Sequence, residues 1–228
     1  MPLPFPPIEP PPTRVSFPEP RRAGRREILA VGVDFSPGTL LAAYRVGIFP
    51  WPQSRSLVPW CSPDPRAIFP VDAAEPPHWS RSLRRTLRIH PYRVTLDSAF
   101  EETMRACGET RPDGTWITPE MVEGYGALHR LGWAHSVEVW DGDELVGGIY
   151  GVAIGGLFAG ESMFHRRTDA SKIAFASLVE RLRAGGFVLF DVQVMNDHLE
   201  SLGCVEIRRA AYLDRLQDAL LITSGLGT

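Results

Sequence analysis

Between Ala134 and Val194 the apolar residues recur first at every second position, then at helical spacing, then as one short continuous run. Few architectures accommodate that succession. AHSVEVW and ELVGGIYGVAI alternate, and Asp141-Gly142-Asp143 between them reads as a hairpin turn. Gly155-Gly156 turns the chain again into LFAGESMF, so three antiparallel strands are expected. Residues 170–184 then place Ile173, Phe175, Leu178, Val179 and Leu182 on one side of a helix, with Asp169 before it and Gly185-Gly186 after it. FVLFDVQV follows as a strand, and the helix is expected to cross back into the same sheet.

Polar residues interrupt these strands. Glu161 lies on one, Asp191 and Gln193 on the next, where a sheet interior holds such groups only if they are paired or used. Strand alternation puts Asp191 and Gln193 on one face, ~6.6 Å apart along the chain. A carboxylate can accept a proton from an amine, hold a cationic amine or orient a neighbouring amide. The trio therefore suits acyl transfer to an amine, or recognition of Arg or Lys. Buried polar groups satisfied by backbone are the structural alternative.

The rest of the chain narrows the chemistry. HExxH, CxxC, P-loop and GxSxG patterns are all missing, and the six histidines have no ligand spacing. No metal is expected. Three widely spaced cysteines fit neither a disulfide framework nor a thiolate site, which points to the cytoplasm. With 228 residues, 44% of them apolar and 22% charged, the chain can bury a sizeable core. No window is long and apolar enough for a membrane helix. Residues 1–27, proline-rich and ending in Arg21, Arg22, Arg25 and Arg26, are expected as a mobile arm.

A net charge of −3 hides a basic patch. In SRSLRRTLRIH, Arg81, Arg84, Arg85 and Arg88 fall at i, i+3, i+4 and i+7, one helical stripe of guanidinium groups, with Leu83 and Leu87 on another side to anchor it. Like charges so placed repel, and a polyanion would relieve them, so the stripe is expected to bind phosphates. Further helices start at Ser36-Pro37, at Ser98 with Glu101 as a capping box, and at Thr118-Pro119. Prolines between Gly47 and Pro70 are expected to prevent regular structure there, leaving Phe49, Trp51 and Trp60 on ordered loops. Trp116 and Tyr125 are expected to project into a common space.

Meander, crossover helix and following strand resemble the acetyltransferases that use coenzyme A. Those open the crossover helix with a glycine-bearing pyrophosphate loop, whereas this chain has RRTDASKIA there, without glycine. The shape is expected without the coenzyme.

VGVDFSPGTLLAAYRVGIFPW, PWCSPDPRAIFP, DGTWIT, ELVGGIYGVAIGGLFAGESMF and FDVQVMNDHLESLG closely resemble the bacterial leucyl/phenylalanyl-tRNA–protein transferases, in unbroken order across roughly residues 28–214. GESMF and the DVQ-x-x-NDH-x-x-SLG run are the specific pieces. The resemblance implies an α+β fold, with a small N-terminal domain over 28–90 and an acetyltransferase-like (GNAT-type) catalytic domain over 91–228. That domain would carry a mainly antiparallel mixed sheet and a crossover helix. It implies a cytoplasmic enzyme, expected to be a monomer, with neither coenzyme nor metal. Such an enzyme moves leucine or phenylalanine, and methionine less well, from aminoacyl-tRNA onto an N-terminal Arg or Lys of a protein, marking it for degradation.

Carried over residue by residue, the resemblance makes Asp191 and Gln193 the pair that promotes attack by the acceptor amine. Glu161 becomes the reader of the acceptor's positive end. Trp51, Trp116, Tyr125 and Phe158 receive the 3′ adenosine or the aminoacyl group, with Ser162 in the same wall. Arg81, Arg84, Arg85 and Arg88 grip the tRNA. This chain departs from the family in three places. Val31-Gly32-Val33-Asp34 stands for a Gly-Gly-Asp run, Ile149 stands where methionine is common in the amino-acid pocket, and LITSGLGT forms a short end. A coenzyme A-dependent N-acetyltransferase and a non-catalytic tRNA or N-terminus binding module are the alternatives.

Overall fold

A computed structural model describes residues 2–52, 58–71, 77–109, 115 and 117–227. In chain order the elements are β1 (Ile28–Val31), α1 (Pro37–Arg45), β2 (Phe49–Pro50), β3 (Pro59–Cys61), β4 (Arg66–Phe69), α2 (Arg81–Ile89), β5 (Arg93–Leu96), α3 (Phe100–Glu109) and α4 (Pro119–Arg130). There follow β6 (Ala134–Asp141), β7 (Glu144–Ile154), β8 (Leu157–His165), α5 (Ala170–Ala184), β9 (Leu189–Gln193), α6 (Asp197–Ser201), β10 (Val205–Ile207) and α7 (Arg209–Leu220).

The fold is α+β. β6, β7 and β8 form the antiparallel meander, and α5 returns the chain to β9, which pairs with β8 in parallel. The complete sheet has seven strands in the order β10-β4-β9-β8-β7-β6-β5. α5 covers one face, with Ile173, Phe175, Leu178 and Val179 fully buried beneath it. α3 and α4 cover the other, and α7 closes the end nearest β9 through Tyr212, Leu213 and Leu216. Gly147 on β7 allows α5 to start close by, since a Cβ there would lie 2.6 Å from that of Ala170.

The proline-rich stretch differs from expectation. Phe49 and Trp60 lie on strands, because β1, β3 and β2 form a small sheet of very short strands. Its prolines take positions that ask no ladder bond of them: Pro50 on an edge strand, Pro59 at the first residue of its strand. β4, which follows, leaves that sheet and enters the large one between β9 and β10.

Local signals behave unevenly. Thr118 caps α4 by accepting from Met121 N–H, and Gly47 follows α1 in the left-handed conformation at φ 81°. Before α3, however, the buried carboxylate of Glu138 accepts from the Ser98 and Ala99 N–H groups, and Ser98 Oγ turns back to the Leu96 carbonyl. The N-terminal segment lies along the body. Ile8 N–H donates to Leu131 O, Trp133 Nε1 donates to Ile8 O at 2.7 Å, and Arg45 pairs with Glu9 at 2.7 Å.

Candidate active site

β8 and β9 stay paired only as far as Ala159 and Asp191. Beyond that point β8 continues beside β7 to His165, while β9 follows β4 to Gln193. The strands part, and a cavity of about 480 Å³ opens beside the gap. Glu161 and Gln193, each two residues past the last pair, face one another across it, with Gln193 Nε2 donating to Glu161 Oε1 at 2.6 Å.

Asp191 does not share that position. Its side chain is fully buried outside the cavity and its carboxylate is saturated. Oδ1 accepts from Arg66 Nε at 2.8 Å and from the Gln193 N–H at 2.9 Å; Oδ2 accepts from Arg66 Nη2 at 2.6 Å and from the Tyr212 hydroxyl at 2.9 Å. Alternation puts Asp191 and Gln193 on one face only while the strand stays extended. At Gln193 φ is 68°, and the side chain swings to the cavity. A non-glycine residue in that region carries strain of order 1–3 kcal/mol, and here the Asp191 carboxylate holds the Gln193 amide N–H in place.

Glu161 is the electrostatic centre. Its carboxyl is raised to about 7 on balance: burial raises it most, bonds from tyrosine hydroxyls and from Gln193 lower it, and the Asp191 charge raises it. Tyr125 OH donates to Glu161 Oε2 at 3.1 Å and lies 2.5 Å from Tyr44 OH. Both phenols are held well above their ordinary range, by burial first and the neighbouring Glu161 second, so they stay protonated donors. A carboxyl poised near neutrality takes its charge when a cation arrives.

The lining mixes polarities. Ile149, Met163, Phe175, Phe190, Met195 and Leu199 are apolar, and Ser162, Asn196 and His198 join Glu161 and Gln193 as polar lining. Trp51, 38% exposed, stands in the lining. Burial lowers the His198 pKa, with the charges of Lys172 and His165 adding to the effect. Of the residues expected here, Trp51, Ile149, Glu161, Ser162 and Gln193 line the cavity. Tyr125 stands behind Glu161 rather than in the lining. Phe158 is buried edge-on against Phe190, with ring centroids 5.6 Å apart, and so backs the wall. Trp116 lies outside the described residues.

The arginine stripe lies elsewhere. α2 buries Leu83, half-buries Leu87 and packs on α5, while Arg81, Arg84, Arg85 and Arg88 are exposed, with no ion-pair partner among the described residues. Arg81, Arg85 and Arg88 border an open recess of about 870 Å³ with His90, Tyr92 and Thr168. Thr86 Oγ1 donates to Asp169 Oδ2 at 3.1 Å, tying α2 to the start of α5.

Residues 71–217 match the model of the leucyl/phenylalanyl-tRNA protein transferase family, and residues 33–64 match that of its N-terminal domain. The chain belongs to this family. A leucyl/phenylalanyl-tRNA–protein transferase of Anaeromyxobacter sp. (strain Fw109-5) is 52% identical over 212 residues, covering 92% of this chain and 89% of the relative. The Proteus mirabilis (strain HI4320) protein of the same name is 48% identical over 204 residues, covering 89% and 87%. A solved structure of a functionally unknown conserved protein from Staphylococcus epidermidis ATCC 12228 is a distant likeness, with TM-score 0.43 at 10% identity over 63% of this chain and 57% of that one.

Several residues in and behind this cavity were not read as site residues in the sequence: Arg66, Tyr44 and Tyr212 behind it, and Met163 and Phe175 in its wall. Arg66 left one trace, a charge opening the apolar run RAIF. The tyrosines left none, since each sits in an amphipathic helix where an aromatic residue reads as ordinary core.

Proposed function

We propose that this transferase moves leucine or phenylalanine, and methionine less well, from aminoacyl-tRNA to the α-amine of an N-terminal Arg or Lys of an acceptor protein. The observation that carries the reading is the Glu161–Gln193 pair among the polar residues of a cavity also lined by apolar side chains. The apolar lining takes the aminoacyl side chain. Met163 and Met195 adapt to leucine, phenylalanine or methionine, while Ile149 is stiffer than the methionine common there.

Glu161 takes the acceptor's positive charge, and that charge keeps it ionised. With Nε2 committed to Glu161, the Gln193 amide oxygen is the acceptor available to an N–H of the attacking amine. The amine nitrogen bonds to the ester carbonyl carbon, the carbon–oxygen bond to the ribose breaks, and a proton passes from nitrogen to the leaving oxygen. The products are a peptide bond and free tRNA. Asp191 acts through Gln193, since its own oxygens are all engaged. Arg81, Arg84, Arg85 and Arg88 hold tRNA phosphates, and the cytoplasm, where charged tRNA is made, is the site of action. The product, extended by an N-terminal leucine or phenylalanine, is marked for degradation.

Coenzyme A chemistry fits less well. At the start of α5, Asp169 sits at φ 63° with its carboxylate on Lys172 and Thr86, so a negative charge lies where a pyrophosphate would be cradled. Incubation of the purified protein with labelled leucyl- or phenylalanyl-tRNA and peptides beginning Arg, Lys or Ala decides the matter. Label is expected on the Arg and Lys peptides. Binding of tRNA without any peptide product would support a non-catalytic module instead.

A further inference from the structure

We infer that Arg66 and Tyr212 are positioning residues of the transferase, acting through Asp191 to fix the backbone at Gln193. The inference rests on the proposed function and concerns two side chains buried behind the cavity. Arg66 falls in the stretch 65–70 between the two matched regions.

The geometry is that of a clamp. The Arg66 guanidinium is 1% exposed and grips both oxygens of Asp191 in a parallel fork, at 2.8 and 2.6 Å. It lies between two rings, with its central carbon 4.7 Å from the Phe49 centroid and 4.4 Å from that of Tyr212. Nη1 donates to Gly47 O at 3.2 Å, and the Tyr212 hydroxyl donates to the Asp191 oxygen that Nη2 also reaches. Burial alone would lower the Arg66 pKa, but the Asp191 charge, the Tyr212 phenol, the hydrogen bonds to Asp191 and the Glu161 charge together outweigh it, so the guanidinium keeps its charge.

A buried ion pair is weak evidence of a stabilising role, because desolvation offsets most of the attraction. What this pair does is geometric. Asp191 Oδ1 holds the Gln193 N–H at the residue that leaves the extended conformation, and that turn carries the Gln193 amide to Glu161. A carboxylate free to rotate would hold the turn less closely, and small misplacements of a reacting group are costly in rate. The guanidinium fork removes that freedom. Three distant parts of the chain contribute: Phe49 and Arg66 from β2 and β4, Asp191 and Gln193 from β9, and Tyr212 from α7.

The test is a double-mutant cycle on the full chain, with Arg66→Lys as the conservative variant. Lysine keeps the charge and loses the fork. Turnover on an Arg-initiated peptide is expected to fall roughly 10- to 100-fold, with KM for the peptide and Kd for aminoacyl-tRNA within about two-fold of wild type. Tyr212→Phe is expected to fall less, about three- to ten-fold, since it loses the hydroxyl's bond to Asp191 and a long one from Arg66 but keeps the guanidinium fork. In a Gln193→Ala background neither change should lower turnover further, because the group they position is gone. Undiminished turnover in Arg66→Lys would overturn the inference, and so would a loss that persists in full beside Gln193→Ala. Should Arg66→Lys fold poorly, the same cycle with Tyr212→Phe decides by the same two outcomes. If the wild-type protein itself transfers nothing, the proposed reaction fails rather than the clamp.

Discussion

Glu161 is where the protein accepts an energetic cost. A carboxyl that titrates near 4.5 in the unfolded chain is held at about 7, chiefly by burial. Between those values the folded state keeps a proton that the unfolded state has released, so stability falls as pH rises through the window. The loss is on the order of 3 kcal/mol once pH exceeds 7. Glu161→Gln removes the titration. Its unfolding free energy, measured by denaturant at about pH 4 and about pH 8, is expected to be close to wild type at the lower pH and to exceed it by about 3 kcal/mol at the higher. At this scale the sequence was informative: Glu161, Asp191 and Gln193 stood out as polar residues in apolar strands, and all three belong to one network. The left-handed turn at Gln193 was not legible, since it is imposed by a carboxylate two residues away, itself held by a guanidinium 125 positions before that carboxylate. That turn separates Asp191 from the cavity its neighbour enters.

Elements with their own periodicity were readable from end to end. The meander, α5 and α2 follow from alternation, helical spacing and caps, because their information is local. β2, β3 and β4 were not, since strands of two to four residues offer too little pattern and exist through their partners. α2 is the element whose chemistry can be tested alone. Its four exposed arginines lack ion-pair partners among the described residues, and it is anchored through Leu83. Arg84→Gln with Arg85→Gln is expected to weaken tRNA binding at low salt and to reduce the slope of log affinity against log salt by about 2. Turnover at saturating aminoacyl-tRNA should be little changed, as the stripe lies outside the cavity. An unaltered slope would return α2 to a merely solvated helix.

At the scale of the molecule the site depends on a chain folded back across itself. β4, from before the main family match, completes the large sheet, and the N-terminal segment is fastened beside it by Arg209 at the start of α7. This guanidinium, 4% exposed, donates to the carbonyls of Gly24, Arg26 and Ser62. Arg209→Ala strands those acceptors, and a loss on the order of 3 kcal/mol is expected, read as a lower denaturation midpoint. No helix among the described residues is long and apolar enough to cross a membrane. The central claim is that the polar lining of the cavity reads a cationic N-terminus, and the acceptor panel addresses it directly. The ratio of kcat/KM for an Arg-initiated peptide over the same peptide beginning with Ala, measured for wild type and Glu161→Gln, is expected to fall from roughly 100 or more to near unity, with tRNA affinity retained. An equal rate on both peptides in the wild type, or a preference undiminished by Glu161→Gln, would contradict the account.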